Sequence, residues 1–296
     1  MKSSCLRLGV LLVALSLAGC SRGPTYNINL SPAWKVGQKF LYVSDASSDS
    51  LITVTADPGS AAAANNRSDG QTVHAHLEAQ GETLTIFPNG SVHKSAFTLQ
   101  ALTATNDSGP VTGLPAAGAK IVAERDEYGE ENFTVDGQAA SPDVTNLLRM
   151  LIVPGDPKQT NQYKLGPSKP VAVGEEWDIN SAAFLEQRDK FPGAQAATGK
   201  MKLISIAGTG DGQVAEVQGQ YAVTGMTPPS QMFTSGTGDL TGEYSGTIPA
   251  VTQGTMKEEF VMSIKVAGQA LDPKSQGDVQ ISLASESHVA QQTTFQ

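Results

Sequence analysis

Thr72-Val73-His74-Ala75-His76-Leu77-Glu78-Ala79 alternates strictly, with Val73, Ala75, Leu77 and Ala79 on one side and the polar residues on the other. A period of two is the signature of a strand with one face buried. Just downstream, Thr83 to Phe87, then Pro88-Asn89-Gly90, then Ser91 onward predict a hairpin, because Asn-Gly supplies the positive φ values a tight turn needs. Upstream, Phe40-Leu41-Tyr42-Val43 and Leu51-Ile52-Thr53-Val54 read as a first pair of strands, and Ala61 to Gly70 as a low-complexity loop. A second hairpin is expected where Ala119 to Glu124 and Asn132 to Val135 flank an acidic turn at Tyr128-Gly129.

One helix interrupts this pattern, over residues 142–153. Ser141 supplies a cap, Pro142 fits the first helical position, and Asp143 places an acid in the first turn. Val144, Leu147, Leu148 and Leu151 recur at helical spacing, and Pro154-Gly155 ends the run. Three turns cannot persist alone, so this helix must lie on the sheet. Residues 155–169 are polar and read as a linker between an N-terminal β-rich half (33–154) and a C-terminal antiparallel half (170–296). In the latter, strands are expected over 170–179, 199–206, 214–223, 238–247, 255–267 and 278–290, and Phe184 to Phe191 reads as a short helix or an irregular edge. The short connections favour an antiparallel meander. Trp34-Lys35-Val36-Gly37-Gln38-Lys39-Phe40 is echoed by Val171-Ala172-Val173-Gly174-Glu175-Glu176-Trp177, which raises the prospect of two related halves. The fold class expected is therefore mainly β: a strongly curved antiparallel sheet or open half-barrel with one packed amphipathic helix.

The first twenty residues carry an address. Lys2 and Arg7 precede Leu8 to Leu17, an apolar stretch too short to span a bilayer, as in a secretory signal peptide (residues 1–19). Leu17-Ala18-Gly19-Cys20 resembles the lipobox of bacterial lipoproteins. That resemblance implies cleavage before Cys20, a lipid on its sulfur and acylation of the new amine (palmitate among the acyl groups); several acyl chains anchor stably where one does not. By the same resemblance Ser21, rather than Asp, implies the outer membrane; the periplasmic face is the expected side, with the other left open. Residues 20–32 then read as a tether reaching about 40 Å when extended. Cys5 leaves with the signal and Cys20 is consumed, so neither cysteine remains to pair or to act as a nucleophile. The phrase Pro170 to Trp177, together with the long C-terminal strands, resembles a family of bacterial lipoproteins of unknown function. That resemblance implies a curved antiparallel sheet partly enclosing a helix, similar in outline to periplasmic lipoprotein carriers, and brings no catalytic residue with it.

Composition narrows the functions. The chain has 296 residues, of which 39% are apolar, and a formal charge of −9. Loss of Lys2 and Arg7 leaves 18 basic against 29 acidic residues, a formal −11, which argues against nucleic acid as a partner and against charge as the membrane attachment. With 6% aromatic residues the interfacial girdles of a transmembrane barrel are missing.

Chemistry is sparse. His74, His76 and Glu78 share a strand face and would serve as zinc ligands, with His93 joining if the next hairpin folds back; this is the basis of an alternative reading as a metal-dependent hydrolase. A solvated outer face explains the same spacing. Asp126, Glu127, Glu130 and Glu131 crowd one turn, but match no calcium loop. There is no Gly-x-Ser-x-Gly elbow, and Gly208-Thr209-Gly210-Asp211-Gly212 lacks the lysine of a phosphate loop and reads as a turn. The sequence thus points to a non-catalytic binding protein with no cofactor. Its partner would be an envelope protein or an apolar ligand held between sheet and helix, where Val144, Leu148, Leu151, Trp177, Met201 and Met262 are the candidate lining.

Overall fold

The computed structural model describes residues 23–31, 33–56, 66–126, 129–153, 155–156, 160–187, 191–228, 233–271 and 278–296. The signal peptide, Cys20 and the turn residues Glu127 and Tyr128 lie outside them. Among the described residues thirteen strands form one open antiparallel sheet. In chain order they are β2 (Lys39–Ala56), β3 (Arg67–Ile86), β4 (Val92–Asn106), β5 (Gly109–Pro110), β6 (Lys120–Arg125), β7 (Glu131–Val135), β8 (Gln138–Ala139), β10 (Glu176–Asp178), β11 (Ala196–Ala207), β12 (Val214–Met226), β13 (Ser235–Pro249), β14 (Thr255–Leu271) and β15 (Asp278–Phe295). The remaining two, β1 (Thr25–Tyr26) and β9 (Val171–Ala172), pair with each other. The expected mainly β fold is what the chain adopts.

The spatial order is β10-β11-β12-β13-β14-β15-β2-β3-β4-β6-β7-β8, with β5 on β4. Each half is a meander, and the last strand of the chain, β15, pairs with β2 along its length from Val279↔Ala56 to Phe295↔Phe40. One apolar core accordingly spans both halves, from Leu77 and Ile121 to Leu203 and Val217, all fully buried. The end of the sheet where β2 starts and β15 finishes is the near end; the opposite one is the far end.

Two strands are longer than their patterning suggests. Phe40–Val43 and Leu51–Val54 are not a pair of strands but parts of β2, continuous through Ser44-Asp45-Ala46-Ser47-Ser48-Asp49-Ser50. The polar run does not break the strand because β15 and β3 bond its backbone on both sides throughout. Likewise Arg67 to Gly70, placed in a loop by their composition, pair with Leu51 to Val54 and begin β3. The Asn89-Gly90 hairpin forms as expected, with Gly90 N–H donating to the Phe87 carbonyl at 2.9 Å.

Helix α1 (Pro142–Leu151) starts where its cap predicts: Ser141 Oγ accepts from the Val144 amide, and Val144, Leu147, Leu148 and Leu151 are buried. The presumed linker is partly docked, because it contains α2 (Asn161–Leu165), whose Leu165 is buried and whose Gln162 Oε1 accepts from the Leu30 amide at 2.9 Å. A third helix, α3 (Ser181–Glu186), lies on β11. The expected tether is also shorter than residues 20–32: Thr25 and Tyr26 are tied to β9, and Ile28 and Leu30 are in the core.

The internal echo has a structural counterpart. Gly37 and Gly174 both adopt positive φ, 78° and 84°. The Gly37 amide donates to Thr83 O at 2.8 Å while Thr83 N–H returns to Gln38 O; the Gly174 amide donates to Leu203 O at 2.7 Å while Leu203 N–H returns to Glu175 O. Three residues after each glycine an aromatic, Phe40 or Trp177, enters the core. The same turn opens both meanders.

Candidate functional site

Of the six side chains expected to line a cavity, five are core. Leu148, Leu151 and Met201 are fully buried, Val144 and Trp177 nearly so, and Trp177 Nε1–H donates to Leu165 O at 2.7 Å. They hold helices to the sheet rather than face a ligand. Met262 differs. Alternation puts it on the core-facing side of β14 between Phe260 and Ile264, yet all three are only half-buried.

The cause is the uneven cover of this face. Helix α1 packs on β2, β3 and β7, and α3 on β11. Towards the far end a small second cluster forms from Val54, Ala56, Ala270 and Val279, and Phe233 lies buried against Gly268. Met262 and Leu283 belong to neither cluster and stay half-exposed, although Phe260 and Ile264 on either side of Met262 pack against the main core and Ile52 and Ile281 beside Leu283 pack against the small one. The register neighbours of Met262 and Ile264 are small, Ser287 then Ser48 and Ser285 then Ser50, whereas Leu283 lies between Val266 and Ile52. The result is a shallow strip with a floor of serines, bordered by Phe260, Met262, Ile264 and Leu283.

At its near end the strip meets a polar cluster. Tyr244 O–H donates to Glu258 Oε1 at 3.1 Å, and Asn161 Nδ2 donates to the same oxygen at 3.2 Å. Tyr42 O–H and Gln291 Nε2 both donate to the carbonyl of Leu151, at the end of α1. Protein surrounds Glu258 closely, although it keeps some solvent contact. Burial pushes its carboxyl above the ordinary range, opposed by the bonds from Tyr244 and Asn161 and by the charge of Lys164. Burial and the facing carboxylate raise Tyr244 in turn. No sequence motif singles out Glu258, but Met256-x-Glu258-x-Phe260-x-Met262 places a carboxyl on an otherwise apolar strand face, which is the signal that marks it.

The histidines do not assemble. His76 Nδ1 meets Asp45 Oδ1 at 2.7 Å and Nε2 meets Glu78 Oε1 at 3.2 Å, so both ring nitrogens are engaged. The Asp45 bond holds its pKa above the ordinary value, against burial and with help from Glu78. His74 is exposed, and His93 lies instead against Phe87 and beside Thr85 and Glu124. Among the described residues no group of three His, Cys, Asp or Glu side chains is arranged to hold a metal ion. The acidic turn likewise closes on itself: Asp126 Oδ1 accepts from the Glu130 amide at 2.8 Å, and Glu131 pairs with Arg125 and Arg149. Residues 208–213 form the expected turn, with a short 3-10 segment at Gly210–Gly212.

The outer face carries a broad open trough of about 1030 Å³ across β10 to β14. It follows a row in register, Glu176–Lys202–Gln218–Ser245–Glu259, and its polar groups bond to one another: Ser245 Oγ donates to Glu259 at 3.3 Å, which also meets His288 at 2.7 Å. Ile204, Ala222 and Val261 lie among these polar groups, so the trough is of mixed character.

No family model matches this chain, and no curated protein matches it. Among solved structures, one described as lipid-protein interactions in lipovitellin aligns at a TM-score of 0.29 and 9% identity, over 88% of this chain and 25% of that one. The chain thus spans about a quarter of that structure's length. No helix among the described residues is long and apolar enough to cross a membrane.

Proposed function

We propose that this protein is a lipid-anchored envelope lipoprotein, attached through Cys20 at the periplasmic face of the outer membrane, that binds an apolar ligand non-catalytically on the inner face of its sheet. The observation that carries the ligand reading is the half-exposed strip at Met262 and Leu283, which belong to neither apolar cluster although they lie on the side of the sheet that elsewhere forms the core. Exposed apolar surface inside a curved sheet is favourable to cover, at about 25 cal/mol per Å² removed from water. A row of apolar side chains over small serines suits an alkyl or acyl chain. The lipobox supports the anchor.

The experiment is native mass spectrometry of the full chain purified from a lipoprotein-processing host, beside Met262→Glu and Leu283→Glu. A non-covalent lipid adduct on the wild type that is lost in both variants supports the reading, provided their melting temperatures stay close to wild type. An adduct unchanged by either substitution would place the ligand elsewhere.

A further inference from the structure

Among the described residues, seven large hydrophobic side chains are exposed, and three of them, Val36 (63% exposed), Val153 (60%) and Ile86 (36%), stand on segments that adjoin one another. Backbone bonds tie their segments together at the near end of the sheet. The Gly37 amide donates to Thr83 O at 2.8 Å, Ile86 pairs with Val92, and the Gly155 amide donates to Val92 O at 3.0 Å. Lys35 and Lys39, both exposed, flank Val36. The neighbouring Trp34, by contrast, packs inward on Phe40 and Phe295.

The chain's start bears on what covers them. Residues 25–30 are fixed to β9 and the core, and the segment continues to Trp34 at the near end. From Cys20 to Pro24, the residue before β1, the chain reaches at most about 17 Å. A domain held on so short a leash cannot stand off from the bilayer.

We infer that the near end, through Val36, Ile86 and Val153, seats in the interface of the anchoring membrane, with Lys35 and Lys39 reaching lipid phosphates. This rests on the Cys20 anchor proposed above. Seating uses the rule that lipidation is reinforced by a second membrane signal, here a few apolar side chains with cationic neighbours. It also fixes orientation: strands β2, β3, β14 and β15 project their far ends away from the lipid.

The test uses the full chain, processed in a lipoprotein-exporting host, with lipidation first verified by intact mass. Cys5 is cleaved and Cys20 acylated, so Val36→Cys, Val153→Cys or Leu51→Cys introduces a single free thiol for an environment-sensitive fluorophore. Leu51 is also exposed, at 48%, but lies about 40 Å up β2 from Lys39. In vesicles of phosphatidylethanolamine and phosphatidylglycerol carrying spin-labelled lipid, positions 36 and 153 should lose most of their fluorescence and position 51 should keep it. Equal quenching at all three sites of lipidated protein overturns the seating and leaves the anchor standing. A bare Cys20 thiol overturns both.

Discussion

At the residue scale the most consequential group is Glu258. Its folded pKa lies above its unfolded value because burial penalises the charged form more than Tyr244 and Asn161 compensate. A carboxyl raised in this way favours the fold below its unfolded pKa and loses that advantage as pH rises through the folded value. Glu258→Gln should therefore gain stability relative to wild type as pH rises from the acidic side, measured by thermal unfolding across that interval. A gain in the opposite direction would mean that the Tyr244 and Asn161 bonds outweigh burial. His76 shifts upward through its bond to Asp45, so it adds stability below the ordinary histidine value that fades as pH rises through the folded one. Asp45→Asn should lower the His76 midpoint in an NMR titration; the effect on stability will be slight, since both partners face water. Gly37 and Gly174 answer a different constraint. A methyl group added at either would touch nothing within 4 Å, so Gly→Ala isolates the positive φ. About 1–2 kcal/mol should be lost at each site in denaturant unfolding.

At the scale of elements, cap, apolar spacing and turn residues were enough to place α1 and the hairpins at Asn89-Gly90 and 126–130, because each is decided by local chemistry. Strand length was not local. Ser44 to Ser50 reads as a break in sequence, and remains strand only because two long neighbours supply its hydrogen bonds. The candidate site shows the same division. Alternation put Met262 on the inner face, but only tertiary packing reveals that α1 and α3 leave it half-covered while enclosing Leu148, Leu151 and Met201. Helix α1 is fixed by burial: Leu148→Ala should cost about 2–5 kcal/mol, read from the shift in denaturant midpoint. A much smaller cost would mean that α1 is not a structural plug.

At the scale of the whole molecule, the sequence suggested two halves joined by a linker, whereas the pairing of β15 with β2 makes one sheet over one core. No local pattern forecasts that closure, because it joins segments at opposite ends of the chain. The two tryptophans report on it separately: Trp34 packs by Phe40 and Phe295, and Trp177 against Leu165. Single-tryptophan variants, Trp177→Phe and Trp34→Phe, should unfold in denaturant with coincident midpoints after allowance for each substitution's own effect. Two separated transitions would show that the halves fold independently.

The central functional claim is that the half-exposed strip at Met262 and Leu283 holds a ligand. Native mass spectrometry of the lipidated protein tests it most directly, because collisional activation strips a bound lipid while leaving the covalent one on Cys20. The account predicts a single dissociable lipid on the wild type and none on Leu283→Glu. Wild-type protein that flies repeatedly with its covalent lipid alone would contradict it.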